Sequence, residues 1–365
     1  MKCKFCNSEN VGIYKKSQTR KDANYISYKC RKCRKIFIAL KEKAKPKPKK
    51  SYSQDWSSYN AYQTQEKIMF MKILNSAVNE LQIEYKYCGN GRPNYALDDM
   101  IKICCIKVFN GFSQRRTMYE INVAHALGFI HAVPHYNSIG NYFNDAEVTE
   151  WLQKLYKLIA TPLVSVESNF ATDATGFSLP HKEKWASLVR KHVRMRDYKK
   201  LHIVCGVLTN VITSATVTEG TRNDTTQFET LVKSTSSYFK IREMYADGGY
   251  LSRKNCEIIK SVGGSPYIMP RKNTRLGTLQ NKGTTAWRDM LKVWKNNEEL
   301  FREHYHKRSN VESTFSMMKR KFLPYVRSKN SKSQENEILC KVVVHNISVL
   351  VNSVFELGVE TKLLD

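Results

Sequence analysis

Ser168-Asn169-Phe170-Ala171-Thr172-Asp173-Ala174-Thr175-Gly176-Phe177 is the stretch at which the chain changes period. It reads as a β-strand with an acid inside it. Downstream, Leu201–Leu208 and Val211–Thr218 read as two more strands around the short turn at Asn210. Asp224 opens a helical segment to Val232, with the aspartate as a good N-cap. Ile241–Asp247 is a fourth strand ended by Gly248-Gly249, 252–262 is helical, Ser265–Pro270 is a fifth strand, and 286–322 is mainly helical. Three strands, then helix, strand, helix, strand, helix, predict a mixed α/β sheet covered by helices.

Upstream of this stretch the pattern is helical. Ile68, Phe70, Met71, Ile73, Leu74, Val78 and Leu81 predict a helix within 60–86. Gly91-Arg92-Pro93 breaks the chain. Asp98 and Asp99 open the next helix, where acids suit the helix dipole better than they suit a metal site. Gly111-Phe112-Ser113 turns into a helix from Gln114, and a short helix follows Pro134. The order fits a helix-turn-helix, in which Arg115, Arg116, His135 and Asn137 would meet DNA; it fits a plain helical bundle equally.

At the amino-terminal end, Cys3-x2-Cys6 and Cys30-x2-Cys33 form two knuckles separated by 23 residues. Two such pairs predict a closed four-cysteine site for one structural Zn2+; four unrelated buried cysteines are the alternative. Tyr25, Ile26, Tyr28, Ile36 and Phe37 supply strand-like residues there. Cys88, Cys104, Cys105, Cys205, Cys256 and Cys340 have no ligand spacing and read as small core residues. Lys43-Ala-Lys-Pro-Lys-Pro-Lys-Lys50 reads as an extended linker, alone or laid along phosphates.

The 365 residues are 41% hydrophobic, enough for a core, which excludes a wholly disordered chain. Lys and Arg number 60 against 33 Asp and Glu, a formal charge of +27. Residues 1–50 alone hold 17 basic residues and three acids, 181–200 hold eight against two, and a third run surrounds Lys319-Arg320-Lys321. Such an excess repels itself unless a polyanion answers it, so nucleic acid is the expected partner. The most apolar run, Leu339–Val359, is broken by Lys341, His345, Asn346 and Asn352, so no membrane span is expected. No apolar run follows the first residues, so no secretory signal is expected, and the cysteines suit a reducing compartment.

Three acids stand out. Asp173 lies in the first strand, and Asp247 ends the fourth beside glycines, where open α/β sheets place their sites; each taken singly is also a plain turn former. The third is Glu312, within Tyr305-x2-Arg308-x3-Glu312-x6-Lys319. On one helix at about 100° per residue, these four side chains share an arc of roughly 60°. Such a stripe either lends charge to a site or is a surface pair between Arg308 and Glu312, four residues apart.

These residues carry a resemblance. Tyr305, Arg308, Glu312 and Lys319 match at every spacing the signature of one group of DDE transposases of bacterial insertion sequences. Asp173-Ala-Thr-Gly resembles the family's first motif and Ala246-Asp247-Gly-Gly-Tyr250 its second. The likeness runs over roughly 95–330 and leaves the cysteine module and Lys/Pro linker outside it. It implies an RNase H-like core, so the fold expected is a mixed five-stranded sheet flanked by helices, preceded by a helical domain and by the small zinc ribbon read from the cysteines. The divisions expected are a four-cysteine ribbon at 1–40, a linker at 41–58, a helical DNA-binding and dimerisation region at 59–165, a catalytic domain at 166–330 and a helical segment at 331–365. The 64 residues between Asp247 and Glu312 leave little space for the large β insertion of some relatives, so none is expected.

The resemblance also implies a chemistry. Asp173, Asp247 and Glu312 would be catalytic and would hold two Mg2+ (or Mn2+), with Asp173 bridging and the others each completing one side. Arg308 and Lys319 would grip DNA phosphates, and Tyr305 would hydrogen-bond one next to the cut. The partners would be double-stranded DNA (terminal inverted repeats and target) and a second copy of the chain on DNA, in the cytoplasm with the nucleoid. The alternative is a catalytically inactive or domesticated zinc-containing DNA-binding protein.

Overall fold

A computed structural model describes residues 2–15, 25–40, 55–84, 94–179, 198–270, 274 and 285–364. The Lys/Pro run, the Gly91-Arg92-Pro93 break, Cys88 and most of the basic run at 181–200 lie outside the described residues. The chain divides into two compact units, Met1–Gln54 and Asp55–Asp365.

The first unit is a three-stranded antiparallel sheet of β1 (Val11–Lys15), β2 (Tyr25–Cys30) and β3 (Ile36–Leu40), in that order. Its small core is Cys3, Cys30 and Phe37, with the Tyr28 ring stacked on Phe37 at 5.9 Å. Each knuckle turns through a left-handed residue directly after its second cysteine, Asn7 (φ 52°) and Arg34 (φ 59°).

The second unit starts with five helices: α1 (Trp56–Glu80), α2 (Leu97–Asn110), α3 (Gln114–Ala126), α4 (Tyr136–Phe143) and α5 (Ala146–Ala160). Asp55 caps α1, accepting from the Ser57 and Ser58 amides, and the helix stops short of the expected 86 at a left-handed Gln82. Gly111 closes α2 at φ 65°, a conformation that favours glycine. Asp98 and Asp99 do sit in the first turn of α2, but Ala96 is the N-cap. Asp99 instead accepts from the His131 and Ala132 amides and pairs with the buried Lys102 at 3.5 Å. Its work is tertiary, and an ammonium already answers its charge.

The sheet follows: β4 (Asn169–Ser178), β5 (Tyr198–Gly206), β6 (Ile212–Glu219), β7 (Glu243–Ala246) and β8 (Ser265–Ile268), in the order β6-β5-β4-β7-β8. β4, β5 and β6 are antiparallel neighbours, and β7 and β8 run parallel to β4. The helices among them are α6 (Phe228–Ser236), α7 (Arg253–Ser261), α8 (Thr285–Asn296), α9 (Glu298–His306) and α10 (Ser309–Phe322). Two expectations are corrected here. Asn223 caps the first turn, and Asp224 lies inside a short 3-10 turn before α6. Tyr305 closes α9 while Arg308 begins α10, so the four signature residues do not ride on one continuous helix. Among the described residues, no strand lies between β8 and Glu312.

The last helix, α11 (Ser331–Leu357), runs through the middle of this unit and packs on α1, α2, α5 and β6. It is long and apolar enough to cross a membrane, but 83% of its most apolar window is buried inside the protein. The polar residues that interrupt it are struts. Asn346 exchanges hydrogen bonds with both backbone groups of Ile212 on the edge strand and donates to the Tyr156 carbonyl. Asn336 donates to the Phe143 and Asp145 carbonyls. Lys341 donates to the carbonyls of Phe322, Leu323 and Tyr325 at 2.6–2.8 Å, closing the end of α10. Buried polar atoms cost little only when paired in this way.

Candidate active site

The central strand sets the site. In the register of β4 with β7, Thr172 faces Ala246, so Asp173 and Asp247 each follow one residue later on neighbouring parallel strands. Asp247 leaves the strand and accepts from the Gly249 amide at 2.8 Å. A Cβ at Gly249 would stand 2.9 Å from that carboxylate oxygen, which explains the glycine there. Asp173 accepts from the Ala174 amide at 2.8 Å. Burial lifts the Asp173 carboxyl above the usual range, and the charge of Asp247 pushes the same way, while Arg308 opposes both.

Helix α10 brings the third acid. Arg308 reaches Asp173 at 3.4 Å with one guanidinium nitrogen and Glu312 at 2.5 Å with the other. One planar cation therefore ties β4 to α10 across 135 positions of sequence. Burial works against the charge on Arg308, but its bond to Glu312 and the nearby Tyr305 and Asp173 together outweigh that and hold it more firmly protonated. Glu312 is 58% exposed, whereas Asp173 is 23% exposed, so the helix acid faces solvent and the strand acid sits at the floor.

Lys319 lies two turns further along α10. Its ammonium donates to Thr175 at 2.5 Å, two residues beyond Asp173 on the same strand face, and stands 5.5 Å from the Phe177 ring centroid. Partial burial draws its pKa down. Tyr305 sits beside Arg308, whose guanidinium carbon is 5.9 Å from its ring centroid. Burial raises that phenol, and Asp247 and Glu312 add to the rise against the opposing pull of Arg308. Arg308 and Lys319 thus reach β4, Glu312 and Tyr305 flank Arg308, and Asp247 is near enough for its charge to act on Asp173 and Tyr305. Among the described residues, Arg115 and Arg116 make no hydrogen bond, ion pair or ring contact with this cluster. Both are exposed on α3, Arg115 with its guanidinium 4.9 Å from the Tyr136 ring centroid.

A neighbouring cluster carries no motif. Asp224 accepts from Lys200 at 2.8 Å and lies 3.5 Å from Nδ1 of the buried His202, whose Nε2 meets Thr218 at 2.8 Å. Its 3-10 turn packs against the turn that follows Asp247, and its charge acts on Asp173 and on the buried Tyr250. In sequence Asp224 was legible only as a helix start.

In the amino-terminal unit, the four knuckle sulfurs lie within 4.8 Å of one another. Cys3 and Cys33 are 3.6 Å apart, as are Cys6 and Cys30. A disulfide would need about 2.0 Å. Tetrahedral zinc with Zn–S near 2.3 Å spaces its sulfurs by about 3.8 Å, so the donor set fits a zinc-sized ion. The backbone amide of Cys33 draws the Cys30 thiol down, while at Cys6 the Ser8 backbone bond pulls the same way but is outweighed by burial and the neighbouring sulfurs, which push that thiol up. Cys104, Cys105, Cys205, Cys256 and Cys340 are buried free thiols in the larger unit.

A mixed five-stranded sheet with acids on its two central parallel strands is consistent with an RNase H-like α/β domain. Residues 165–347, just over half the chain, match the family model described as the transposase DDE domain, and residues 58–145 match a second transposase-domain model, DUF772. The chain belongs to the DDE transposase family, a class of DNA-cutting and DNA-joining enzymes. No curated protein matches it.

Proposed function

We propose that the protein cuts DNA at the ends of an insertion sequence and joins the freed 3′-hydroxyl to target DNA at one site. The observation that carries this reading is the Arg308 guanidinium joined to both Asp173 and Glu312, with Asp247 in register on the next strand. Three carboxylates offer only hard oxygen donors, and two of them, Asp173 and Glu312, already gather a cation, which fits divalent ions such as Mg2+. When bound, two such ions lower the pKa of a water or 3′-hydroxyl and stabilise the leaving oxygen of an in-line displacement.

The chain's own groups do the rest. Asp173 on the central strand, Asp247 at the end of its neighbour and Glu312 on α10 would together hold the ions. Arg308 would present its fork to a DNA phosphate, Lys319 would add a point charge along the same strand, and Tyr305 would hydrogen-bond a phosphate beside the cut. In the first step water breaks a phosphodiester and leaves a 3′-hydroxyl. In the second that oxygen attacks a target phosphodiester and displaces a target 3′-oxygen. Cys3, Cys6, Cys30 and Cys33 would hold one structural Zn2+ that folds the ribbon. The catalytic domain is assigned to 166–330, and residues 59–165, with Arg115 and Arg116, to contact duplex DNA as part of a dimer.

Glu312→Gln keeps size and removes charge. It is expected to bind terminal-repeat duplex as the parent does and to lose nicking and strand transfer together. Parental nicking by this variant would refute the site.

A further inference from the structure

The exposed face of the amino-terminal sheet carries a row of residues that the catalytic reading does not use. Tyr14 on β1, Lys29 on β2 and Ile36 on β3 cross it, one from each strand. Lys29 pairs in register with Gly12 and with Ile36, and its ammonium stands 5.7 Å from the Tyr14 ring centroid. Tyr14 is 49% exposed and Ile36 46%. Gly12 adds no side chain, and the Arg31 guanidinium lies 3.8 Å from where its Cβ would be. The three strands contain no acid, and Glu9 nearby is paired with Lys2 at 3.5 Å. Phe5, the other exposed aromatic ring among the described residues of this unit, is edge-on to Phe37 of the small core and has a packing role already.

We infer that this face is a docking surface for single-stranded DNA, with Tyr14 stacking on an unpaired base and Lys29 and Arg31 meeting the phosphates beside it. Charge alone would suit duplex and single strand equally. The half-exposed ring decides between them, because a duplex hides its base faces and an unpaired base offers one. The missing side chain at Gly12 lets the Arg31 guanidinium lie over the strand, on the same face as Lys29. A surface of this kind would hold strands that separate around a DNA end. The inference does not rest on the assignment of the three acids.

The test is fluorescence anisotropy of the full-length chain, with Zn2+ bound, on labelled oligothymidine and on a duplex of equal length across a salt series. Tyr14→Ala is expected to weaken oligothymidine binding about tenfold and leave duplex binding unchanged, while Tyr14→Phe binds as the parent does. Lys29→Gln should weaken it too and reduce the salt slope by about 0.7, one phosphate's share. If Tyr14→Ala lowered the zinc content of the ribbon, the exposed Lys29→Gln would carry the test. Parental oligothymidine affinity in both variants would overturn the inference, as would equal losses on duplex, which would mark a duplex contact. Glu312→Gln should retain this binding, so failure of the face and failure of the catalytic reading are separable.

Discussion

Arg308 holds two acids that belong to different elements, and the shape of its side chain is what permits it. A guanidinium offers separate nitrogens to Asp173 and Glu312, whereas an ammonium is a single point. Arg308→Lys should therefore keep the charge and lose the bridge. Single-turnover nicking is expected to fall about 10- to 100-fold, the range seen when groups that orient metal-binding residues are removed, with little change in duplex affinity. Parental rates would mean that the bridge does not matter to the reaction. Much at this scale was legible in sequence, because the signature spacing named Tyr305, Arg308, Glu312 and Lys319. What spacing could not give was the partner of each. The bond from Lys319 to Thr175 and the tie from Arg308 to Asp173 depend on α10 lying against β4, which is a tertiary fact.

Helix α10 owes its position to α11. Lys341 spends all three of its protons on the carbonyls where α10 ends, around a left-handed Leu323 (φ 71°). Four residues earlier on α11, Glu337 accepts from the amides of Arg327 and Ser328 and from the Ser328 hydroxyl. The segment between these clamps also joins the end of β4, with the Val326 amide donating to Ser178. Lys341→Met keeps the length of the side chain and leaves three carbonyls without their donor. It should destabilise the protein by about 3 kcal/mol, read by urea unfolding. Less than about 1 kcal/mol would show that water replaces the clamp. The strands themselves were readable from alternation and turn residues to within a few positions. The break between α9 and α10 was not, because nothing in Tyr305-His306-Lys307-Arg308 is a helix breaker. Nor was the role of Lys341, since a lysine in an apolar run reads as an interruption until its acceptors are seen.

At the scale of the whole unit, α11 joins the helical part to the sheet, and His345 makes that union sensitive to acid. The ring is buried and its Nε2 meets the Asn210 carbonyl at 3.0 Å, so the neutral ring donates there. Burial pulls its pKa down to about 4. The unfolded chain, with a histidine near 6.5, then takes up a proton before the folded one does. Stability is full above about 6.5 and falls as pH drops toward 4, by on the order of 3 kcal/mol over that window. His345→Gln should flatten that part of the profile of melting temperature against pH. An unchanged slope would move the acid sensitivity to another group. The succession of five strands and the helices that cover them was legible from the sequence, but the order of the strands within the sheet was not. The place of residues 331–357 at the centre was not, because burial on every side leaves a helix without an amphipathic stripe to read.

The position of α11 in the chain has a consequence for synthesis. Every element it braces, including α1, α2, α5 and the edge strand β6, precedes it. A nascent chain would therefore carry the facing surface of α5 and the unpaired backbone of Ile212 uncovered until α11 emerges. Contacts between residues so far apart in sequence form slowly, and exposed strand edges invite aggregation meanwhile. Recovery of soluble protein should thus depend on growth temperature and on chaperone supply more than the strength of the finished fold would suggest.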